Sequence, residues 1–325
     1  MNYPPYNITD KMLNYITSIM EKVGEINSYI NLNKKPELRR QTMINSIHSS
    51  LAIENNPLSL EQVKDIINGH LVMGKQKDIQ EVKNAYKAYE ELDNINSYSE
   101  EDLRKIHSIM TFLILDNNGK YRTHGEGVFN GEECIFMAPP ANMVPELMNQ
   151  LFDWINNEKD DVNPLILSSV FHYEFVFIHP FSDGNGRMAR IWQTTILSKW
   201  KEVFEYMPIE NLIKKNQQEY YKIINDCNNA GNSNAFIEFM LKMIDETIDK
   251  IVIEQNTTQE TTQETTQERI LELIKKNSNI TQIEMSKKLG ITRDGISYNI
   301  KILKEKGIVK RMGSTKNGTW KIVKR

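Results

Sequence analysis

The sequence predicts a helical body broken by one β-hairpin, followed by a small basic domain of three helices and a two-stranded ribbon. Three observations lead there. Apolar residues recur at helical spacing almost throughout residues 1–250. One stretch, GEGVFNGEECIFMAPP at 125–140, breaks that period with three glycines and two closing prolines. The repeat TTQETTQETTQE at 257–268 then separates two parts of opposite charge. Residues 269–325 carry 15 Lys and Arg against 4 Asp and Glu, a net +11, and the rest of the chain is −14.

The helical stripes come first. Met12, Ile16, Ile19, Met20 and Val23 share a face, as do Leu103, Ile106, Ile109, Met110 and Leu113. Leu147, Leu151, Trp154 and Ile155 form a third stripe, and Phe236, Phe239, Met240 and Met243 a fourth. Each is expected to face a core. Within 125–140, Asn130–Gly131 stands between Gly127-Val-Phe and Cys134-Ile-Phe-Met, which suits a tight hairpin turn. A hairpin with no further strand to join is marginal alone, so it is expected as an accessory flap over a site. The TTQE unit has no apolar residue to bury. It reads as a linker or as the solvated start of the next helix. The organisation expected is an N-terminal helical region (1–95), a helical core (96–250), a linker (251–268) and a C-terminal domain (269–325).

In the tail, 269–276 reads as helix. Thr281 suits the cap of a helix ending before Gly290, and Thr292 the cap of another that Gly307 stops. Two short β-rich stretches follow, 308–312 and 319–323. This is the winged helix-turn-helix pattern. Ile296, Ile300 and Leu303 are expected in its core. Arg293, Ser297, Tyr298 and Lys301 are expected to face out, where a recognition helix meets a DNA groove. Asp294, beside them, has the wrong sign for DNA.

Composition narrows the classes. With 325 residues, 39% hydrophobic and 26% charged, the chain is ordinary for a globular protein of two or three domains. No apolar run approaches the roughly 20 residues that span a bilayer, so no membrane partner is expected. No secretory signal is visible, and two distant cysteines, Cys134 and Cys227, form neither a disulfide framework nor a CxxC site. A cytoplasmic location is expected.

The densest chemistry lies in HPFSDGNGRMAR, residues 179–190. An apolar approach through Phe171 and Phe175 starts it from the interior. Gly184, Asn185 and Gly186 strip bulk from the backbone just before a helix, where free N–H groups make an anion nest. Arg187 and Arg190 are three apart and share a helix face. Two guanidinium forks beside a nest suit a polyphosphate. Asp183 next to phosphates is best explained by Mg²⁺, since it would otherwise repel them. His179 can act as general base near neutral pH. The set points to phosphoryl or nucleotidyl transfer from a metal-bound nucleotide to an alcohol.

This stretch resembles the Fic-domain signature, HxFx(D/E)GNGRxxR, at every defined position. The resemblance extends to Gly119-Lys-Tyr-Arg122, the hairpin with Pro139-Pro140, and Tyr220-Tyr221. It covers roughly residues 1–250. It implies an all-α Fic-type domain with a hairpin flap, which transfers AMP from ATP to a protein hydroxyl. By resemblance, His179 would deprotonate a Ser, Thr or Tyr hydroxyl, and Asp183 would hold Mg²⁺ between the α and β phosphates. Gly184, Asn185 and Gly186 would line the anion hole. Arg187 and Arg190 would grip the β and γ phosphates, and Tyr221 would flank the adenine. The hairpin would pair with an extended segment of the target.

Residues 50–56, SLAIENN, resemble the family's inhibitory pattern (S/T)xxxE(G/N)N. Ser50 and Glu54 are four apart on one helix face. The resemblance implies that Glu54 pairs with Arg190, blocks the γ-phosphate site and is supported by Ser50. Inhibition would then be intramolecular. Relatives with this arrangement can self-associate through the helical body, so the resemblance allows a homodimer. Two alternatives stay open. One is a DNA-binding regulator whose Fic domain senses nucleotide. The other is a Fic-fold enzyme that transfers or removes a different phospho group. Neither the target protein nor self-modification at Tyr220 or Tyr221 is decided by the sequence.

Overall fold

The apolar stripes assemble the first part of the chain as a bundle of helices. The computed structural model describes residues 4–29, 36–130, 133–313 and 318–323. The chain divides into two units, Met1–Asp249 and Lys250–Arg325. The first unit holds helices α1 (Asp10–Tyr29), α2 (Pro36–Ile53), α3 (Leu60–Ile67), α4 (Gln76–Glu90) and α5 (Glu100–Met110). Strands β1 (Gly127–Asn130) and β2 (Glu133–Met137) follow. Then come α6 (Val144–Glu158), α7 (Pro164–Ile178), α8 (Asn185–Trp200), α9 (Ile209–Lys215), α10 (Gln217–Ala230) and α11 (Asn234–Lys276), whose part up to Asp249 belongs to the first unit and the rest to the second.

Sequence punctuation sets the helix ends. Ser59 and Gln62 form a capping box that starts α3, and Ser99 caps α5 by accepting from the Asp102 N–H. Asn163 caps α7, with Pro164 at its first position. Helix α7 is apolar on nearly every face and is therefore central. Leu165, Leu167, Phe171, Phe175 and Ile178 are all buried, and α7 packs along α8. The Trp192 indole is buried beside them and donates to Ser97 O at 3.0 Å.

Two expectations needed correction. Leu113 is not on the core stripe of α5. The helix ends at Met110, Thr111 Oγ1 donates back to His107 O at 2.7 Å, and Leu113 is left 75% exposed at φ 59°. Among the described residues the hairpin is an antiparallel pair with no third strand. Its register, however, shifts between Val128 and Phe129, so that Asn130 pairs with Glu133 as a strand residue instead of opening the turn. The turn residue Gly131 lies outside the described residues.

The TTQE repeat lies within α11. Gln and Glu have adequate helix propensity, and they carry the period that Thr alone would resist.

The second unit adds α12 (Gln282–Leu289), α13 (Arg293–Glu305), β3 (Val309–Met312) and β4 (Thr319–Ile322). Thr281 and Glu284 form a capping box, Gly290 ends α12 at φ 69°, and Thr292 caps α13. Ile270, Ile274, Met285, Ile296, Ile300, Leu303 and Trp320 make its core. Trp320 also donates from its indole to Ile280 O at 2.9 Å. The two strands pair antiparallel from Val309↔Ile322 to Met312↔Thr319. The turn expected across 313–318 falls largely on residues 314–317, outside those described. Among the described residues no helix is long and apolar enough to cross a membrane.

Candidate active site

Helix α7 delivers the imidazole. His179 closes the helix in the left-handed conformation, φ 51°, with its N–H still bonded to Phe175 O at 3.0 Å. Its Nδ1 lies 3.3 Å from Val176 O. A carbonyl can only accept, so the ring proton sits on Nδ1 and Nε2 carries the free lone pair. Burial, the largest influence, pushes the imidazole pKa below its ordinary value. The Arg122 charge adds to that, while Val176 O, Glu126 and Glu54 oppose it.

The loop after it is folded against the interior. Phe181 is buried and stacks on His107 with centroids 3.6 Å apart and planes 7° apart. Asn185 closes the loop on itself, accepting from the Phe181 N–H at 2.9 Å and donating to Phe181 O at 2.7 Å. His107 Nδ1 accepts from the Gly119 N–H at 2.9 Å, so Nε2 carries its proton and donates to Asp183 O at 3.0 Å. Burial brings the His107 pKa down to about 4, which keeps it neutral in that role. Gly119 is required where it stands. It has φ +69°, and a Cβ would lie 2.9 Å from Ser108 Cβ and 3.0 Å from Arg104 O.

Helix α8 starts at Asn185 after Gly184, φ 89°, with no side-chain cap on its first N–H groups. Uncapped N–H groups at the positive end of a helix attract an anion. Two arginines stand over this start. Arg187 Nη2 donates to Asp183 Oδ1 at 2.9 Å. Its Nη1 lies 3.6 Å from Glu81 Oε1, an ion contact too long for a hydrogen bond. Among the described residues, Arg187 Nε and Nη1 are buried without a hydrogen-bond partner.

Arg190 is filled instead. Its side chain is 1% exposed. Nε donates to Ser50 Oγ at 3.0 Å, and Nη2 to Ser50 O at 3.0 Å and Glu54 Oε1 at 2.7 Å. Glu54 Oε1 also lies against the glycine loop, since a Cβ on Gly186 would overlap it. The structure thus brings Ser50, Glu54, Arg187, Arg190, Asp183, Gly184, Asn185, Gly186 and His179 to one place. Glu54 ends its turn on Asn55, φ 65°, a conformation asparagine accepts more readily than other side-chain-bearing residues. Asn56 then donates to Glu81 Oε2 at 2.8 Å, so both arginines face acids reached from this segment.

Helix α2 is held by hydroxyls. Ser46 donates to Glu210 Oε2 at 2.7 Å, and Ser49 donates to Asn211 Oδ1. Glu210 is buried, and burial raises its pKa. Tyr89 and Thr194 also donate to it. Gln217 donates to Ile53 O at 3.0 Å, at the end of the helix.

Tyr221 lies near this centre, 46% exposed and edge-on to Tyr220 at 5.3 Å. Burial, then the Glu54 charge, raises its pKa. Tyr220 is buried and donates to His172 Nε2 at 2.9 Å, while His172 Nδ1 donates to Gln193 at 2.6 Å. Burial takes the His172 pKa down to about 3. In the second unit, Arg293, Ser297, Tyr298 and Lys301 are exposed on α13.

Asp183 is the carboxylate available to a cation at the loop, with its side chain 38% exposed. Among the described residues no group of three His, Cys, Asp or Glu side chains converges. A single carboxylate suits Mg²⁺, which commonly completes its shell with substrate phosphates and water. Sequence reasoning did not find His107, Glu81 or Glu210. Each acts through a backbone group or a distant partner, and no local motif marks that.

An uncapped helix start, two arginines and an imidazole at the end of the preceding helix define the class of site. Residues 97–197 match the Fic/DOC family, and residues 263–310 match the winged helix-turn-helix DNA-binding family. A Fic family protein from Desulfovibrio desulfuricans G20, known from its crystal structure, is 35% identical. It superposes with a TM-score of 0.74 over 100% of this chain and 99% of its own. A Fic domain containing signaling protein from Bacteroides thetaiotaomicron, 19% identical, superposes at 0.60 over 74% of this chain and 94% of its own, a likeness of fold. Protein adenylyltransferase fic-1 of Caenorhabditis elegans is 26% identical over 261 residues, which are 77% of this chain and 49% of that protein. The chain belongs to the Fic family. It spans about half the length of the curated relatives it matches.

Ser50→Ala tests the buried pairing. It leaves Arg190 Nε without its hydroxyl acceptor, and an unsatisfied buried donor costs about 1–3 kcal/mol. Urea unfolding is expected to show a loss of that size. An unchanged transition would contradict the pairing.

Proposed function

We propose that the chain is an autoinhibited protein adenylyltransferase, moving AMP from ATP to a Ser, Thr or Tyr hydroxyl of a target protein. One observation carries the reading: the Glu54 carboxylate, just past the end of α2, sits on Arg190, the second arginine of α8, beside a loop otherwise suited to phosphate. Arg187, whose Nε and Nη1 are buried without a hydrogen-bond partner, and the uncapped start of α8 support the same reading.

The reaction follows from the chemistry of these groups. Arg187 and Arg190 bind the β and γ phosphates, and the N–H groups at residues 184–186 receive the phosphate oxygens. This orients the α-phosphorus toward the imidazole. The acceptor hydroxyl gives its proton to His179 Nε2. Its oxygen forms a bond to the α-phosphorus, the bond to the bridging oxygen breaks, and pyrophosphate leaves. Asp183 is the residue that would hold Mg²⁺, which would supply charge neutralisation on the phosphates. Positioning and charge complementarity supply the rate. The hairpin pairs with an extended segment of the target by main-chain hydrogen bonds and brings the hydroxyl into line. Glu54 blocks this route by keeping Arg190 from the γ-phosphate, so a triphosphate cannot settle in line. Such a reaction suits the cytoplasm, where ATP is abundant and the buried thiol of Cys227 stays reduced.

A second activity is proposed for the other unit, namely DNA binding. The +11 charge and the exposed Arg293, Ser297, Tyr298 and Lys301 on α13 support it. The full chain is expected to bind mixed-sequence duplex DNA with a log–log salt slope of about −0.9 per phosphate contacted. Absence of salt-dependent binding to any duplex would reassign residues 269–325 to target recognition.

The transferase is tested with ATP labelled at the α-phosphate, in the presence of Mg²⁺ and lysate proteins. Glu54→Gly is expected to label itself or a lysate protein far more strongly than the unsubstituted chain, and adding His179→Ala should abolish that labelling. Equal labelling with and without Glu54 would remove the inhibition. Transfer that persists without His179 would remove the base.

The imidazole also sets a pH limit. Its pKa is pushed down by burial, and Glu54→Gly removes a charge that opposes the push. At saturating Mg²⁺, the acid limb of kcat/KM for Glu54→Gly, a ratio that reports the free enzyme, should be centred below 6.5. An acid limb centred above 6.5 would contradict the assignment.

A further inference from the structure

Arg122 is a buried charge, 2% exposed, whose side chain is spent on the backbone. Nε donates to His179 O at 2.7 Å, and Nη1 to His124 O at 2.9 Å. Nη2 donates to Pro139 O at 2.6 Å and to Ile178 O at 3.3 Å. The Arg122 main-chain N–H adds a bond to Pro180 O at 2.9 Å. Three separate stretches of chain meet on this one side chain.

Two of those stretches are the feet of the hairpin. His124 precedes β1 and Pro139 follows β2, and the ladder continues toward the feet through the Ala138 N–H bond to Glu126 O at 3.0 Å. The third stretch is the end of α7, where Ile178 and His179 present carbonyls at the negative end of the helix. A guanidinium suits that end, and charged donors make the stronger hydrogen bonds. A two-stranded hairpin is marginal alone, so what fixes its position is what holds its feet. Here that anchor also holds the carbonyl of the residue bearing the imidazole.

We propose that Arg122 is a positioning residue for transfer, tying both feet of the hairpin to the His179 backbone and so setting the distance between a target hydroxyl on the hairpin and the imidazole. This rests on the AMP-transfer reading above. Its hydrogen bonds lie on the acceptor side of the site. They reach the carbonyls of residues 124, 139, 178, 179 and 180, whereas the nucleotide side is built by Asp183 to Arg190. Loss of Arg122 should therefore slow transfer and spare nucleotide binding. Lys cannot replace it, since an ammonium lacks the planar fork that spans two feet and a helix end at once.

The test places Arg122→Lys and Arg122→Gln in the Glu54→Gly protein. It measures Mg-ATP affinity by calorimetry and the rate of labelled AMP transfer at saturating ATP. Both variants are expected to bind Mg-ATP within about twofold of the parent and to transfer about 100-fold more slowly, the size of effect that a displacement near 1 Å produces. An undiminished rate in Arg122→Lys would overturn the proposal. So would loss of Mg-ATP affinity in step with rate, which would make Arg122 a general support of the fold. If the Glu54→Gly parent itself transfers no AMP, the transferase reading fails, and the role of Arg122 falls with it.

Discussion

Arg190 is a permanently charged group enclosed by the fold, and an enclosed charge must be paired. Much of the first unit can be read as the set of contacts that satisfies it. Ser50 offers a hydroxyl and a carbonyl, Glu54 offers a carboxylate, and Tyr220 packs beside it under the hold of His172 and Gln193. The partner that satisfies Arg190 in this state is an acid from the same chain. A phosphate of similar charge would satisfy it as well. On the proposed function, inhibition and activity are two ways of answering one electrostatic demand.

That demand explains why α2 looks unlike the other helices. Its buried face carries Thr42, Ser46, Ser49 and Ser50 among Ile44, Ile47, Leu51 and Ile53. Ser46, Ser49 and Ser50 replace part of an apolar stripe because their neighbours, Glu210, Asn211 and Arg190, are polar or charged. Glu210, buried on α9, takes hydrogen bonds from Ser46, Tyr89 and Thr194. The helix that delivers Glu54 is therefore seated on polar contacts along its length. Such contacts fix its rotation more closely than apolar packing would, because each has a direction.

How much of this was legible in the sequence depends on whether the signal is local. Capping residues such as Thr281, Thr292 and Gly290 set helix ends where the sequence suggested, because a cap acts within one turn. The glycine loop with Asp183, Arg187 and Arg190 was readable for the same reason. So was the spacing of Ser50 and Glu54, although only a resemblance could pair Glu54 with Arg190 across 136 positions. Leu113 misled because helical spacing continues past the residue where Thr111 turns the chain. The hairpin register slipped because a bulge between Val128 and Phe129 leaves no mark in the pattern. His107 stayed hidden because its partners are a ring, an N–H and a carbonyl supplied by other segments.

The central claim is that the Glu54 carboxylate and the terminal phosphate of ATP compete for one guanidinium. Crystal structures of the unsubstituted chain and of Glu54→Gly, each grown with Mg²⁺ and a non-hydrolysable ATP analogue, examine it most directly. The account expects the γ-phosphate on Arg190 in Glu54→Gly. In the unsubstituted chain it expects Glu54 still on Arg190, with the triphosphate turned away from His179. A nucleotide seated identically in both, with its γ-phosphate clear of Arg190, would contradict it.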